Sequence, residues 1–298
     1  MRCTRCGSKA WIELRRHNAA YCDQCFLHHF EEQVTRALHR EKMFTPGDRV
    51  LVAVSGGKDS LALWDVLQRL GFQTAGLHLE LGIEGYSSLS RRKVEAFAEG
   101  RGLELIVVDY RQQLGVGIDQ LYRRVRRKPC SACGLSKRHY FNAVAREGGF
   151  DVVATGHNLD DEAASLLGNL LHWKTGYLAR QSPVLESTHP HLVKKVKPLF
   201  RLTERETAAY ALLRGIDYVV EECPLAEGAR SLLYKEILNR LEEQSPGAKH
   251  SFLFGYLDTG RALFREVEGA VDLRDCERCG QPTTEVVCAF CRMMETVQ

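Results

Sequence analysis

Residues Arg49–Val54 read RVLVAV, Ser55–Ser60 read SGGKDS, and a helical apolar pattern follows at Leu61, Leu63, Val66, Leu67 and Leu70. A short β-branched run, a glycine turn and a helix in that order aim several backbone N–H groups and the positive end of a helix dipole at one point, which makes an anion site. Gly56 and Gly57 allow close backbone approach and positive φ, Lys58 adds a point charge, and Ser55 and Ser60 add hydroxyls. The stretch is not a Walker A loop. That motif requires Gly five residues before Gly57, where Val52 stands, and Ser or Thr after the lysine, where Asp59 stands. The plainer alternative is a tight strand-to-helix turn, but six consecutive suitable residues between a strand and a helix favour a phosphate loop.

Outward from the loop, strand and helix patterns alternate. Gln73–Leu79, Leu103–Asp109 and Asp151–Thr155 read as further strands, and Ser90–Glu99, Leu135–Arg146 and Leu159–Leu171 as helices. Such alternation predicts an α/β domain with a parallel sheet and helices on both faces. Ligands of open α/β sheets lie at the carboxyl ends of the strands, so Ser55–Ser60, Leu79 and Gly156–Glu162 (GHNLDDE) are expected to meet. In that last stretch Asn158 or Asp160 suits a helix cap, and Asp161 and Glu162 suit the first turn. The functional reading gives Asp161 a role in holding Mg²⁺ or nucleotide opposite the loop, with Asp59 as a second carboxylate. Further on, His172–Val193 reads as a long loop, Thr203–Leu213 as a helix opened by a Thr203/Glu206 capping box, and Ser231–Glu243 as another helix.

Eleven cysteines divide the chain. Cys3, Cys6, Cys22 and Cys25 form two Cys-x-x-Cys knuckles fifteen residues apart, and Cys276, Cys279, Cys288 and Cys291 form two more eight residues apart. Paired knuckles of this kind suit tetrahedral Cys₄ zinc better than disulfides. His28 and His29 read as surface or helix residues, with replacement of one cysteine ligand as the alternative. Three thiols are left: Cys130 and Cys133, opening the helix that carries Lys137, and Cys223, followed by Pro224. Three thiolates from two distant segments can hold a [4Fe–4S] cluster with one iron free of protein ligands. A Cys130–Cys223 persulfide and disulfide pair, or a buried core role for Cys223, are the alternatives.

The expected domains are 1–45, a ribbon with a linking helix over Phe26–Phe44; 46–270, the α/β domain; and 271–298, a second ribbon. Composition is that of a soluble globular chain, with 44% hydrophobic and 27% charged residues. No apolar run approaches the roughly 20 residues of a membrane span, and the N-terminus lacks a secretory apolar region, so a cytoplasmic chain is expected. A net charge of +3 does not establish a nucleic-acid partner. Tyr122–Lys128 (YRRVRRK), however, places five cations directly before Pro129-Cys130, either as a solvated run or as phosphate contacts. Lys194, Lys195 and Lys197 form a weaker second cluster.

SGGKDS resembles the PP-loop of ATP pyrophosphatases. The order of a zinc ribbon, SGGKDS, CSACG at Cys130–Cys133, GHNLDDE, ECP at Glu222–Pro224 and a terminal ribbon resembles the two-zinc-finger branch of the PP-loop tRNA thiolation family. It is most similar to members that make 2-thioribothymidine at position 54 of tRNA, and a sister type thiolates the wobble uridine. The resemblance covers nearly the whole chain. It implies an ATP site over Ala53, Ser55, Gly56, Gly57, Lys58, Asp59, Ser60, Leu79, Lys137, Gly156 and Asp161, with Mg²⁺ at Asp59 and Asp161. It implies adenylation of the base, assistance from Lys58 and Lys137, and sulfur delivery by a [4Fe–4S] cluster on Cys130, Cys133 and Cys223. A ubiquitin-like thiocarboxylated carrier as sulfur source and a homodimer are further implications. The competing functions are a zinc-ribbon RNA-binding module with an inactive nucleotide site, and an ATP pyrophosphatase acting on a small molecule; the first leaves the intact loop unused and the second leaves the ribbons unused.

Overall fold

The computed structural model describes residues 1–265 and 272–296. The expected domain boundary at 270–271 lies outside them. The chain opens with a hairpin of β1 (Ile12–Leu14) and β2 (Ala19–Tyr21), then α1 (Asp23–Arg40). The central part runs β3 (Val50–Ala53), α2 (Lys58–Arg69), β4 (Thr74–Glu80), α3 (Tyr86–Glu99), β5 (Glu104–Asp109), α4 (Tyr110–Leu114) and α5 (Ile118–Arg124). It continues with α6 (Pro129–Glu147), β6 (Val152–Thr155), α7 (Leu159–Leu171), α8 (Thr175–Arg180), β7 (Val184–Leu185), β8 (Lys194–Val196) and α9 (Glu204–Leu213). After α10 (Arg230–Gln244), α11 (Ala248–Gly255) and α12 (Arg261–Arg265), a short hairpin of β9 (Arg274–Asp275) and β10 (Pro282–Thr283) leads to α13 (Ala289–Glu295).

The main sheet has the order β5-β4-β3-β6-β8-β7 and is parallel except for the edge strand β7. The chain leaves β3 to one side for β4 and β5 and returns to the other side for β6 and β8. The loop after β3 therefore sits at a topological switch point, where open α/β sheets bind ligands. β3 is buried at every residue because both of its faces are covered. Val50 and Val52 point into one core with Trp64, Phe30 and Tyr210; Leu51 points into the other, with Leu77, Val153 and Tyr140.

α1 is longer at its start and shorter at its end than Phe26–Phe44. Cys22 adopts extended backbone as its N-cap, and Lys42 takes φ 48° just beyond its end. Its buried residues Phe26, Phe30, Val34 and Leu38 follow the helical period, and Phe30 stacks on Tyr210 at 4.0 Å. With both phenylalanines fully buried at about 1.5–3 kcal/mol each, α1 belongs energetically to the main core as much as to the hairpin before it.

Other expected helices also shift. α3 starts at Tyr86 rather than Ser90. α6 starts at Pro129, ahead of Leu135 and in line with Cys130 and Cys133 opening the helix that carries Lys137, because proline is tolerated in a first turn where its missing N–H is not needed. The segment 172–193 is not one loop; it contains α8 and the edge strand β7. The capping box predicted for α9 is present in both directions, with Thr203 capping Glu206 N and Glu206 reaching back to Thr203 N. No helix among the described residues is long and apolar enough to cross a membrane.

Candidate active site

The chain turns sharply after β3. Gly56 takes φ 85°, a conformation that L side chains rarely adopt, and Gly57 is the N-cap of α2 with no side chain capping the helix. The exposed N–H groups of that first turn are thus free to meet an anion. Ser60 braces the turn, since its hydroxyl donates to Gly57 O at 3.0 Å and accepts from Ser55 N at 3.1 Å. Gly156, after β6, packs directly on this turn: a Cβ there would lie 2.8 Å from Ser60 N, so only glycine lets the two segments touch.

The N-termini of α7 and α9 point to the same place as that of α2. Leu159 N donates to Leu202 O at 2.8 Å, Glu204 N to Asp160 Oδ2 at 2.8 Å, and Thr207 Oγ1 to Asp59 Oδ1. Asn158, fully buried, ties the two expected acids together. Its Nδ2 donates to Asp59 Oδ1 at 3.1 Å, while its backbone N donates to Asp161 Oδ2 at 3.1 Å in a reciprocal cap. The capping and ligand readings of this stretch therefore coexist. Asp161 uses one oxygen for the cap and turns the other to Lys235 Nζ at 2.6 Å.

A chain of alternating charges follows. Lys58 Nζ lies 3.1 Å from Asp59 and 2.7 Å from Glu204, and Lys235 Nζ lies 3.1 Å from Glu204. Burial works against the Lys58 ammonium, but Asp59 and Glu204 outweigh it and raise its pKa. Burial alone would raise the Glu204 carboxyl; hydrogen bonding and charge from Lys58 and Lys235 instead hold it down at about 2. Lys235 is likewise raised against its burial by Asp161 and Glu204. Three cationic or N–H sources and three carboxylates thus surround the loop, an arrangement ready to exchange internal partners for a polyphosphate and a divalent ion. The carboxylate oxygens now paired with Lys58 and Lys235 are those a cation would take, so Asp59 and Asp161 fit Mg²⁺.

Beside the loop lies a cavity of about 120 Å³ lined by Ala53, Ser55, Leu79, Lys137, Cys133 and Cys223, among others. Six residues singled out in four separate stretches of the sequence are thus brought together. Gly156 and Asp161 stand on the other side of the loop turn, at the α7 end. His78 also lines the cavity; burial lowers its pKa, its Nδ1 lies 2.9 Å from Val54 O, and its buried Nε2 has no partner. The neutral ring must donate from Nδ1, which leaves Nε2 as an acceptor. A larger cavity of about 420 Å³ lies between the β1–β2 hairpin and α9–α11, but none of the sequence-predicted site residues lines it.

The cysteines are all free thiols. The ligand atoms of Cys3, Cys6, Cys22 and Cys25 lie within 4.8 Å of one another, as do those of Cys276, Cys279, Cys288 and Cys291. Sulfur separations of 3.6 Å for Cys6–Cys22 and 3.7 Å for Cys279–Cys288 match the edge of about 3.8 Å for a tetrahedron with Zn–S near 2.3 Å. Burial and the neighbouring thiols push Cys25 up to about 12 and Cys279 to about 11, so a cation is needed before all four in each set can be thiolates. Both sets fit zinc.

His28 and His29 both lie in α1, in line with the helix reading; His29 faces inward, where it is buried, stacks on Tyr21 at 4.9 Å and lies 3.7 Å from Glu206. His28 is exposed beside Glu32. Neither belongs to the sulfur set.

Cys130, Cys133 and Cys223 differ. Their sulfur atoms do not all fall within 4.8 Å of one another, although Cys133 and Cys223 share the cavity wall and Cys130 Sγ lies 3.8 Å from Leu225 O, two residues beyond Cys223. A single ion does not reach all three thiols at that spacing, whereas a cubane, whose ligands bind different corners, takes thiols that stand farther apart. Cys223 is half-buried and Cys130 exposed, so Cys223 is no core thiol, and no disulfide joins them.

Arg123, Arg124, Arg126, Arg127 and Lys128 are all exposed, and none carries an ion pair among the described residues. The second basic cluster is different from its expectation. Lys197 pairs with Glu162 at 2.7 Å, Lys194 with Glu186 at 3.4 Å, and burial beside Arg138 draws Lys195 down to about 8. It is largely committed internally. Sequence reasoning missed Asn158 as the bridge between acids, and also Glu204, Thr207, Lys235 and His78. Only the Thr203 cap hinted that α9 mattered, and nothing in sequence tied Lys235 to Asp161.

Residues 26–241 match a family model described as PP-loop domain, and residues 2–27 one described as 2-thiouridine synthetase TtuA, N-terminal LIM domain. The chain is 56% identical to the tRNA-5-methyluridine(54) 2-sulfurtransferase of Thermus thermophilus over 100% of this chain and 92% of that one. It is 44% identical to the enzyme of the same name from Pyrococcus horikoshii, over 98% and 93%. Among solved structures it is similar to the U34-tRNA thiolase NcsA from Methanococcus maripaludis with its [4Fe-4S] cluster, with a TM-score of 0.85 and 28% identity, covering 100% of this chain and 96% of that one. The chain belongs to the PP-loop family of tRNA 2-sulfurtransferases.

Proposed function

We propose that this chain catalyses ATP-dependent 2-thiolation of 5-methyluridine at position 54 of tRNA, releasing AMP and pyrophosphate. One observation carries the reading: the phosphate loop, Lys137, Cys133 and Cys223 open onto one cavity. A nucleotide activated at the loop and a sulfur held by those cysteines are then adjacent. The target at position 54, rather than the wobble base, is supported by the 56% and 44% identical relatives of that name.

ATP lies with its phosphates on the α2 N-terminus and its base toward Leu79 and His78. Asp59 and Asp161 would hold Mg²⁺, which would neutralise charge on the phosphates; Lys58 and Lys235 are their present partners. O2 of the uracil ring attacks the α-phosphorus, the α–β phosphoanhydride bond breaks and pyrophosphate leaves. Lys58 and Lys137 stabilise the charge that develops on phosphate. A sulfur nucleophile then bonds to C2, the C2–O bond breaks, and AMP leaves with that oxygen. Cys130, Cys133 and Cys223 would hold a [4Fe–4S] cluster, which would supply an iron without a protein ligand to bind sulfide. The two Cys₄ sets hold zinc and give the chain its three parts, 1–45, 46–270 and 271–298. A ubiquitin-like thiocarboxylated carrier as sulfur source, a homodimer and a cytoplasmic setting complete the proposal.

The test is a reaction of the anaerobically purified chain with ATP, sulfide and tRNA carrying 5-methyluridine at 54, followed by mass analysis of nucleosides. The expected product is 2-thio-5-methyluridine, formed one for one with AMP. Sulfur at the wobble uridine would overturn the target, and tRNA binding without ATP cleavage would leave only an RNA-binding module.

A further inference from the structure

A second groove leaves the charged network on the side away from the cysteines. It has a volume of about 360 Å³, starts at Asp161 and Lys235, and runs between α7 and α10 to His172, Lys174 and Arg230. The ring of Tyr234 lies against Gly168, where a Cβ would come within 2.7 Å of it, so the floor is flat. His172 Nε2 is shared by Arg230 Nη1 at 3.2 Å and Tyr234 Oη at 3.3 Å.

Between His172 and Lys174 stands Trp173, 74% exposed and at φ 46°. Trp173 N donates to Leu170 O and Lys174 N to Asn169 O, the paired bonds of a Schellman C-terminus. Its left-handed position ordinarily belongs to glycine, and a bulky residue there is strained. The fold thus holds a large aromatic ring in solvent by way of an unfavourable backbone. One turn on, Tyr177 is 63% exposed, with Lys174 Nζ 5.6 Å and Arg180 Cζ 5.8 Å from its ring centre. Exposed aromatic rings interleaved with cations, continuous with a phosphate-binding centre, match a single nucleic-acid strand: bases stack on rings and phosphates meet cations.

We propose that the α7–α10 groove carries the unpaired strand of the RNA substrate next to the target base, with Trp173 stacking on a base and Lys174 and Arg230 meeting phosphates. This rests on the tRNA reading above. The test measures binding of tRNA to the metal-loaded chain without ATP, across a range of salt. Trp173→Gly relieves the backbone strain and is expected to melt no lower than wild type while binding tRNA about tenfold more weakly. Trp173→Phe is expected to retain most of the affinity. Lys174→Ala and Arg230→Ala are each expected to make the salt dependence shallower by about one unit of slope, with ATP affinity unchanged.

A Trp173→Gly, Lys174→Ala, Arg230→Ala chain with wild-type tRNA affinity and slope overturns the proposal. That includes the case in which it instead requires more of a protein sulfur donor, which would assign the groove to a protein partner. Failure of the thiolation reading would look different, as a wild-type chain that modifies no tRNA.

Discussion

At the two ends of the chain, a Cys-x-x-Cys pair in a turn closes on a second pair at the start of a helix, α1 or α13; at the start of α6 a pair stands in the same kind of helix turn with no second pair opposite. The terminal sets bring four sulfur atoms within 4.8 Å, with two of each set buried. Cys133 of the central pair and a lone cysteine ninety residues further on, Cys223, share the wall of a cavity that the phosphate loop also lines. Spacing sets only which two thiols act together. Whether the set closes or stays open depends on what packs opposite, and that is a tertiary matter. Closed sets have no coordination position left for chemistry, whereas a three-thiol set beside a cavity has one.

The strongest way to break this contrast is to remove the central thiol that comes from afar. Cys223→Ser is expected to lower thiolation by at least about 10⁴-fold, more than ~5 kcal/mol in barrier, with zinc content unchanged. Metal analysis beside the rate checks this, and loss of zinc with retained activity would reverse the division.

The two ribbons also differ from each other. The N-terminal hairpin is tied to the core by a buried ion pair, Arg16 to both oxygens of Glu206 at 3.0 and 2.9 Å. The C-terminal ribbon has no buried ion pair among the described residues; it is held by Asn142 to Gln281 at 2.8 Å, His139 stacked on Phe290 at 3.8 Å, Arg146 donating to Gly280 O at 3.1 Å and an exposed His191–Asp275 contact at 2.6 Å. Glu206→Ala leaves Arg16 buried without its partner and is expected to destabilise the fold by about 3–5 kcal/mol in denaturant unfolding.

The smallest effect is on pH dependence. Burial raises the Glu206 carboxyl, but Arg16, His29 and Thr203 outweigh it and bring it to about 2. A depressed carboxylate adds stability above its ordinary pKa and loses it as pH falls toward its folded value. The advantage of wild type over Glu206→Gln is therefore expected to narrow by about 2 kcal/mol between neutral pH and about pH 3. An advantage that stays constant over that range would show that the ion pair does not anchor the hairpin.

Much of this molecule is legible in local sequence. The loop at Ser55–Ser60 reads as strand, turn and helix because glycine freedom and apolar period act over a few residues, and β3, α2 and α7 lie where those signals place them. The four–three–four division of cysteines follows from spacing and arithmetic. The Thr203 cap follows from a four-residue motif. Where the reading slipped, within 172–193, packing against the sheet edge overrode weak local signals.

The partners in space are another matter. Asn158 on Asp59, Glu204 between Lys58 and Lys235, and Thr207 on Asp59 join residues roughly 30 to 150 positions apart along the chain. No local rule ranks Glu204 above any other glutamate. Local chemistry made the phosphate loop and the thiol pairs, since both depend on a few bonds of chain. The sheet order, by bringing β3 and β6 together and gathering three helix starts at their ends, decided which charges surround the loop and which thiols face it, because electrostatic and metal-binding partners are chosen by distance in space.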